Sequence, residues 1–101
     1  MNGSTSDIRP PVLVADDSRL ERLMLEHILT EHGFPTIFAV DGHEAIRLLT
    51  DPSSPRLVIL DWVMPGPNGP EIVRWLREQH HGKAAYVVLL PDMSRLRFTN
   101  L

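Results

Sequence analysis

The 101-residue chain has no cysteine, which removes disulfides and thiolate–metal sites and agrees with a reducing compartment. Lysine is almost absent too: Lys83 stands alone among ten basic residues. No apolar run approaches the roughly 18 residues of a membrane span. The N-terminal MNGSTSDIRPP is polar and proline-ended, unlike a signal peptide, so a soluble cytoplasmic protein is the expectation. A net charge of -3 speaks against nonspecific contact with nucleic acid. No glycine-rich loop follows the first apolar run, which argues against a mononucleotide-binding module. No internal repeat or low-complexity segment is visible. With 43% hydrophobic residues, the length suits one small domain with a single core.

What is present alternates in type. Val12–Ala15 (VLVA) is a continuous apolar run, the pattern of a strand buried on both faces. Ser18 and Glu21 have capping-box spacing, and Leu20, Leu23, Met24, Leu25, Ile28 and Leu29 form a helical stripe that Gly33 ends. Pro35–Val40 (PTIFAV) reads as a second strand, Asp41-Gly42 as a turn, and Glu44–Thr50 as a short helix with Ala45, Leu48 and Leu49 inward. DPSSPR is a loop by composition. Leu57–Leu60 (LVIL) is a third strand that ends at Asp61. Asn68-Gly69-Pro70 starts a helix whose apolar face is Ile72, Val73, Trp75 and Leu76. Ala84–Leu90 (AAYVVLL) is a fourth strand. The order β-α-β-α-β-α-β implies an α/β fold, a doubly wound, mainly parallel sheet with helices on both faces.

The acids that end these strands are the chemical signal. Ligands of open parallel sheets sit beyond the carboxyl ends of the strands. Asp16 and Asp17 follow the first strand and Asp61 ends the third, so neighbouring strands would bring three carboxylates into one crevice. Such groups repel one another and raise each other's pKa. A hard divalent cation relieves this, and an all-oxygen set suits magnesium. A carboxylate facing that cation is placed to attack phosphorus. Asp16 and Asp17 could instead serve only as helix-capping acids, but their conjunction with Asp61 favours a site.

VLVADDS (Val12–Ser18), AVDGHEAIRLL (Ala39–Leu49), LVILDWVMPGPNG (Leu57–Gly69) and YVVLLP (Tyr86–Pro91) together resemble the receiver domain of bacterial two-component response regulators. The family pattern of two acids after strand one, then D-x-x-M-P-x-x-x-G after strand three, is met by Asp16, Asp17, Asp61, Met64, Pro65 and Gly69. The resemblance implies a flavodoxin-like receiver fold over residues 12–91, flanked by a flexible tail (1–11) and an atypical C-terminal tail (92–101). It implies Asp61 as phosphoacceptor, and Mg2+ held by Asp16, Asp17, Asp61 and the backbone carbonyl of Val63, one of the two leading acids acting through water. Met64 and Pro65 would shape the loop and Gly69 would let it turn into the next helix. The phosphoryl donor would be a histidine kinase or phosphotransfer protein, and any output would come through protein contacts, with no direct nucleic acid or membrane partner.

Two family features are missing. Pro91 stands where the family carries a Ser or Thr hydroxyl. The ten residues after it, DMSRLRFTNL, are too few for the last strand, its lysine and the last helix. Lys83 precedes the fourth strand and is expected at the opposite end of the sheet. Nothing in the spacing brings Arg95, Arg97, Ser94 or Thr99 to replace these groups. The alternative function is therefore a degenerate receiver that no longer cycles phosphate and acts by docking or dimerising. An exposed fourth-strand edge, or the C-terminal tail, would be the dimer contact. An aspartate-based phosphatase is disfavoured because Val63 stands where such enzymes carry a second acid. His27, His32, His43, His80 and His81 read as surface residues, Trp75 as core, and Trp62 as a rim residue that covers the loop or meets a partner.

Overall fold

Strands and helices alternate through residues 9–91, the part of the chain that the computed structural model describes. The elements are β1 (Val12–Ala15), α1 (Arg19–Glu31), β2 (Thr36–Ala39), α2 (Gly42–Leu49), β3 (Leu57–Asp61), α3 (Gly69–Glu78), a 3-10 turn (His81–Ala84) and β4 (Tyr86–Leu90). All three strand pairings are parallel and the order is β2-β1-β3-β4. This is the doubly wound receiver topology, ending at β4 among the described residues. The readings placed on Ser94, Arg95, Arg97, Thr99 and the C-terminal tail lie outside those residues, as do residues 1–8. Arg9, assigned by sequence to the N-terminal tail, donates to the carbonyls of Gly33 (3.1 Å) and His32 (3.0 Å), and its guanidinium lies 5.4 Å from the Phe34 ring centre.

Strand parity divides the core between two faces. Leu13, Ala15, Val58 and Leu60 point to the side covered by α2 and α3, where they join Ala39, Ala45, Leu49, Met64, Ile72 and Leu76 in one buried cluster. Val87, Leu89 and Trp75 pack against it. The opposite face belongs to α1, which has no fully buried residue. Its stripe forms as the periodicity indicates, yet Leu20 (68% exposed), Met24 (55%) and Ile28 (51%) face outward. Only Leu25 and Leu29 are half-buried. Beside α1 the sheet is open, and a cleft of about 180 Å³ is lined by Val12, Leu29, Leu57, Ile59 and Val88 among others.

Two expectations need correction. β4 begins at Tyr86, because Ala84 completes the 3-10 turn that Arg77 fastens by donating to the carbonyls of Gly82 (2.8 Å) and Ala85 (2.7 Å). α2 begins at Gly42, since Asp41 is its N-cap and accepts from the Glu44 amide at 2.8 Å. β3 itself alternates between half-buried and buried residues. Its continuous apolar run reads like a central strand, but only the α2/α3 side is filled.

His81 is also more than a surface residue. It is half-buried, and its Nε2 donates to the Leu49 carbonyl at 2.8 Å.

If the core lies on one face, Leu60→Ala should lower unfolding free energy by about 2–5 kcal/mol, whereas Met24→Ala should change it by less than about 0.5 kcal/mol. Urea unfolding of the two variants is the measurement. Equal losses would mean that the α1 face is covered in solution.

Candidate functional site

The site is built by register. Val12 pairs with Leu57 and Ala15 with Leu60, so the next residue of each strand, Asp16 and Asp61, emerges side by side at the carboxyl edge. Asp16 is wholly buried. Its Oδ1 accepts from the Ser18 amide at 2.9 Å, and its backbone carbonyl accepts from Arg22 at 2.7 Å. Its Oδ2 has no hydrogen-bond donor. A buried carboxylate oxygen left in that state is costly unless something compensates it.

A further acid beside Asp16 and Asp61 is Glu21, on the first turn of α1. One carboxylate oxygen from each of Asp16, Glu21 and Asp61 lies within 4.8 Å of the others. Asp17 is exposed and outside this group. Its spacing from Ser18 predicts a different task for Glu21. Ser18 does cap α1, accepting from the Glu21 amide at 3.3 Å, but the reciprocal bond of a capping box does not form there. Compare Asn68 and Glu71, where both bonds are present at 2.9 Å. At the start of α1 the glutamate turns to the two aspartates instead. Its carboxyl is pushed up to about 7, first by the hydrogen bond it makes to Asp16 when protonated, then by burial and by the charges of Asp16, Asp61 and Asp17.

The loop after β3 is clamped from both sides. The Trp62 amide donates to Leu90 (2.9 Å), the Gly69 amide to Trp62 (3.0 Å) and the Gly42 amide to Pro65 (3.0 Å). Met64 inserts into the core at 5% exposure, while Trp62 and Val63 remain 47% and 41% exposed at the rim. Gly69 proves to be the first residue of α3 rather than a turn residue with unusual backbone angles. Glycine is needed because a Cβ there would stand 2.7 Å from the Asp61 carbonyl oxygen and from Leu89. The left-handed position in this loop is Gly66, at φ 78°, with the His43 ring packed against it. Pro91 follows β4 on the same edge, exposed and without a donor, beside a groove lined by Glu21, Leu20, Met24, Leu25, Ile28 and Leu90. Lys83, in the 3-10 turn before β4, is at the far end of the sheet.

Acids gathered at the carboxyl edge of a 2-1-3-4 parallel sheet define a receiver-type module. The sequence profile of the response regulator receiver domain matches residues 12–95, and the chain belongs to that family. The phosphate regulon transcriptional regulatory protein PhoB of Escherichia coli is 32% identical over 79 residues, covering 78% of this chain and 34% of PhoB. The chain thus spans about a third of the length of such curated relatives. Among solved structures, the signal receiver domain of a signal transduction histidine kinase from Syntrophus aciditrophicus superposes with a TM-score of 0.76 at 35% identity, covering 81% of this chain and 61% of that one. The receiver domain of the sensor histidine kinase PA1611 from Pseudomonas aeruginosa, solved with magnesium coordinated in its active-site cleft, gives 0.73 at 20% identity, covering 79% and 65%. At that identity the likeness is one of fold. Among the described residues, no helix is long and apolar enough to cross a membrane.

The raised carboxyl of Glu21 gives a signed prediction. The folded protein holds this proton more tightly than the unfolded chain, so the stabilisation is complete below the ordinary value of 4.5 and is lost as pH rises through about 7. With chelator present, the melting temperature of the wild type relative to Glu21→Gln should therefore fall across that interval. Parallel pH profiles would mean that Glu21 titrates normally.

Proposed function

We propose that this chain is the phosphoryl-accepting receiver of a two-component phosphorelay, working in the cytoplasm with Asp61 as acceptor. The observation that carries the reading is the side-by-side emergence of Asp61 and the wholly buried Asp16, whose Oδ2 lacks a donor. An all-oxygen set containing such an orphan fits a hard divalent cation. Asp16, Asp17, Asp61 and the Val63 carbonyl would hold Mg2+, with Asp17, exposed beside the cluster, acting through water. Bound there, magnesium supplies positive charge that offsets the phosphoryl oxygens.

The chain's own residues do the rest. An oxygen of Asp61 attacks the phosphorus of a phosphohistidine presented by a histidine kinase or phosphotransfer protein. The O–P bond forms as the P–N bond breaks, and the electron pair leaves with the imidazole nitrogen. Ser18 fixes the Asp16 carboxylate by donating its amide to Oδ1. The hydrogen bonds from Trp62 to Leu90 and from Gly69 to Trp62 hold the acceptor's strand end in place. Water attacking the aspartyl phosphate would return Asp61 to its starting state.

A second reading is favoured by Pro91 and by β4, the edge strand of the sheet among the described residues. Pro91 offers no hydroxyl to the phosphoryl group, and Tyr86 and Val88 on β4 are 76% and 53% exposed. On this reading the domain is a docking or dimerising module whose self-association runs through β4.

Intact-mass spectrometry after incubation with Mg2+ and a small acyl phosphate separates the two. One phosphoryl adduct, absent in Asp61→Asn, is expected. A folded wild type with no adduct would leave the docking module. For that module, sedimentation should give a dimer that Tyr86→Lys converts to monomer, since a charge on an edge strand opposes pairing.

A further inference from the structure

The carboxylates gather at the carboxyl edge of the sheet, and a group of basic side chains stands at the amino edge. Arg56 immediately precedes β3, and the 3-10 turn His81–Ala84 leads into β4. Between these strand entrances lies a pocket of about 330 Å³. Pro52, Ser54, Pro55 and Arg56 line it from the loop before β3, and His80 and His81 line it from the turn. We propose that this pocket binds a small phosphate monoester, with the phosphate at Arg56 and the histidines and the organic group against the two prolines.

Three observations support the site. The first is that both walls are fastened. Asp51 Oδ1 accepts from the Ser53 amide (2.9 Å) and hydroxyl (2.8 Å), and the Ser54 amide donates to the Asp51 carbonyl at 2.9 Å. Across the pocket, His81 Nε2 donates to the Leu49 carbonyl, and Arg77 holds the carbonyls of Gly82 and Ala85. A Cβ at the buried Gly82 would collide with the Leu76 carbonyl, so the turn is seated directly on α3. The Tyr86 amide donates to the Arg56 carbonyl at 2.7 Å, which ties the two walls together. The pocket is therefore preformed, as small-molecule sites usually are.

The second observation is charge. The chain is acidic overall, at -3, yet no carboxylate is among the described residues that line this pocket. Lys83 adjoins the two histidines in the turn. Among the described residues neither Arg56 nor Lys83 forms an ion pair. Asp51, the acid of the loop, is engaged by Ser53, whose donors hold its carboxyl below the ordinary value of 3.8, and the charge of His81 acts in the same direction. A cleft rimmed by one sign of charge concentrates counter-ions, and the guanidinium fork matches phosphate oxygens.

The third observation is the mixed lining. The Ser54 hydroxyl and the basic groups suit an anion, whereas Pro52, Pro55 and Leu76 offer apolar surface that a bare phosphate would leave unused. The volume lies at the low end of small-molecule sites, about 300–1,000 Å³, which is room for one compact ligand. β3 and β4 begin at this pocket and end beside the acids, so the two ligand positions occupy opposite ends of the same strands.

Phenyl phosphate is the probe, titrated into the full chain in divalent-free buffer and followed by amide chemical shifts. Saturable shifts should fall on Ser54, Arg56, Gly82 and Ala85. Arg56→Gln should weaken binding on the order of tenfold or more. Arg74→Gln, which removes an equal charge from an exposed position of α3, should change it by about twofold or less. Arg56 is exposed, and its hydrogen bond to Tyr86 uses only the backbone, so the substitution leaves the fold intact, which a thermal melt checks. Inorganic phosphate, without the ring, and benzoate, with the ring and a single charge, should both bind more weakly. Shifts confined to other residues, or wild-type affinity in Arg56→Gln, would overturn the site. Equal affinity for inorganic phosphate or benzoate would overturn the assignment of a phosphate monoester.

Discussion

The parallel register of β1 on β3, Val12 with Leu57 through Ala15 with Leu60, is the constraint on which the rest depends. It aligns two strand ends so that Asp16 and Asp61 leave the sheet together. It also assigns Leu13, Ala15, Val58 and Leu60 to one core. Slipping either strand by one residue would reverse every side chain. Leu13 and Leu60 would then leave the α2/α3 face, and the carboxylates would no longer meet. Packing and chemistry are thus specified by the same contacts, and the buried carboxylate sits one residue past the end of a strand.

Element identity was legible because it depends on local pattern. Short apolar runs, Asn68 three residues before Glu71, and Gly33 after α1 each have a nearby physical cause. The acids Asp16, Asp17 and Asp61 could be found because their position at strand ends is itself a pattern. Burial was less legible. LVIL has the same composition whether one face or two are covered, and only the tertiary arrangement leaves Ile59 half-buried. The signal for Glu21 was visible but had two meanings. Its spacing from Ser18 suits a cap, and nothing in one dimension reveals two aspartates within reach. Gly69 reads in the sequence as a turn residue, whereas the close approach of the Asp61 carbonyl is a contact between elements rather than a local backbone need.

The asymmetry of the sheet sets the character of the surface. One side carries a continuous cluster from Leu13 to Leu76. The other offers the groove between α1 and β4, with Leu20, Met24 and Ile28 facing Leu90 and Pro91. Among the described residues no strand pairs with the outer edge of β4, which adjoins this groove, so hydrogen-bonding capacity and apolar surface coincide. Glu21 belongs to both the groove and the carboxylate cluster. Whatever covers the apolar face therefore borders the acids directly.

Because α1 buries no residue fully, it is the helix with least to lose by local opening, and its amides should belong to a low-protection unit of the fold. Yet it supplies Ser18, Glu21 and Arg22 to the neighbourhood of Asp16. Any species that engages Glu21 and Asp61 at once must hold α1 against β3. By thermodynamic linkage, the affinity of that species and the docking equilibrium of the helix are coupled. Occupancy at the carboxyl edge would then be reported along the whole length of α1 as slowed hydrogen exchange, carrying chemical information to the apolar groove through the docking of that helix.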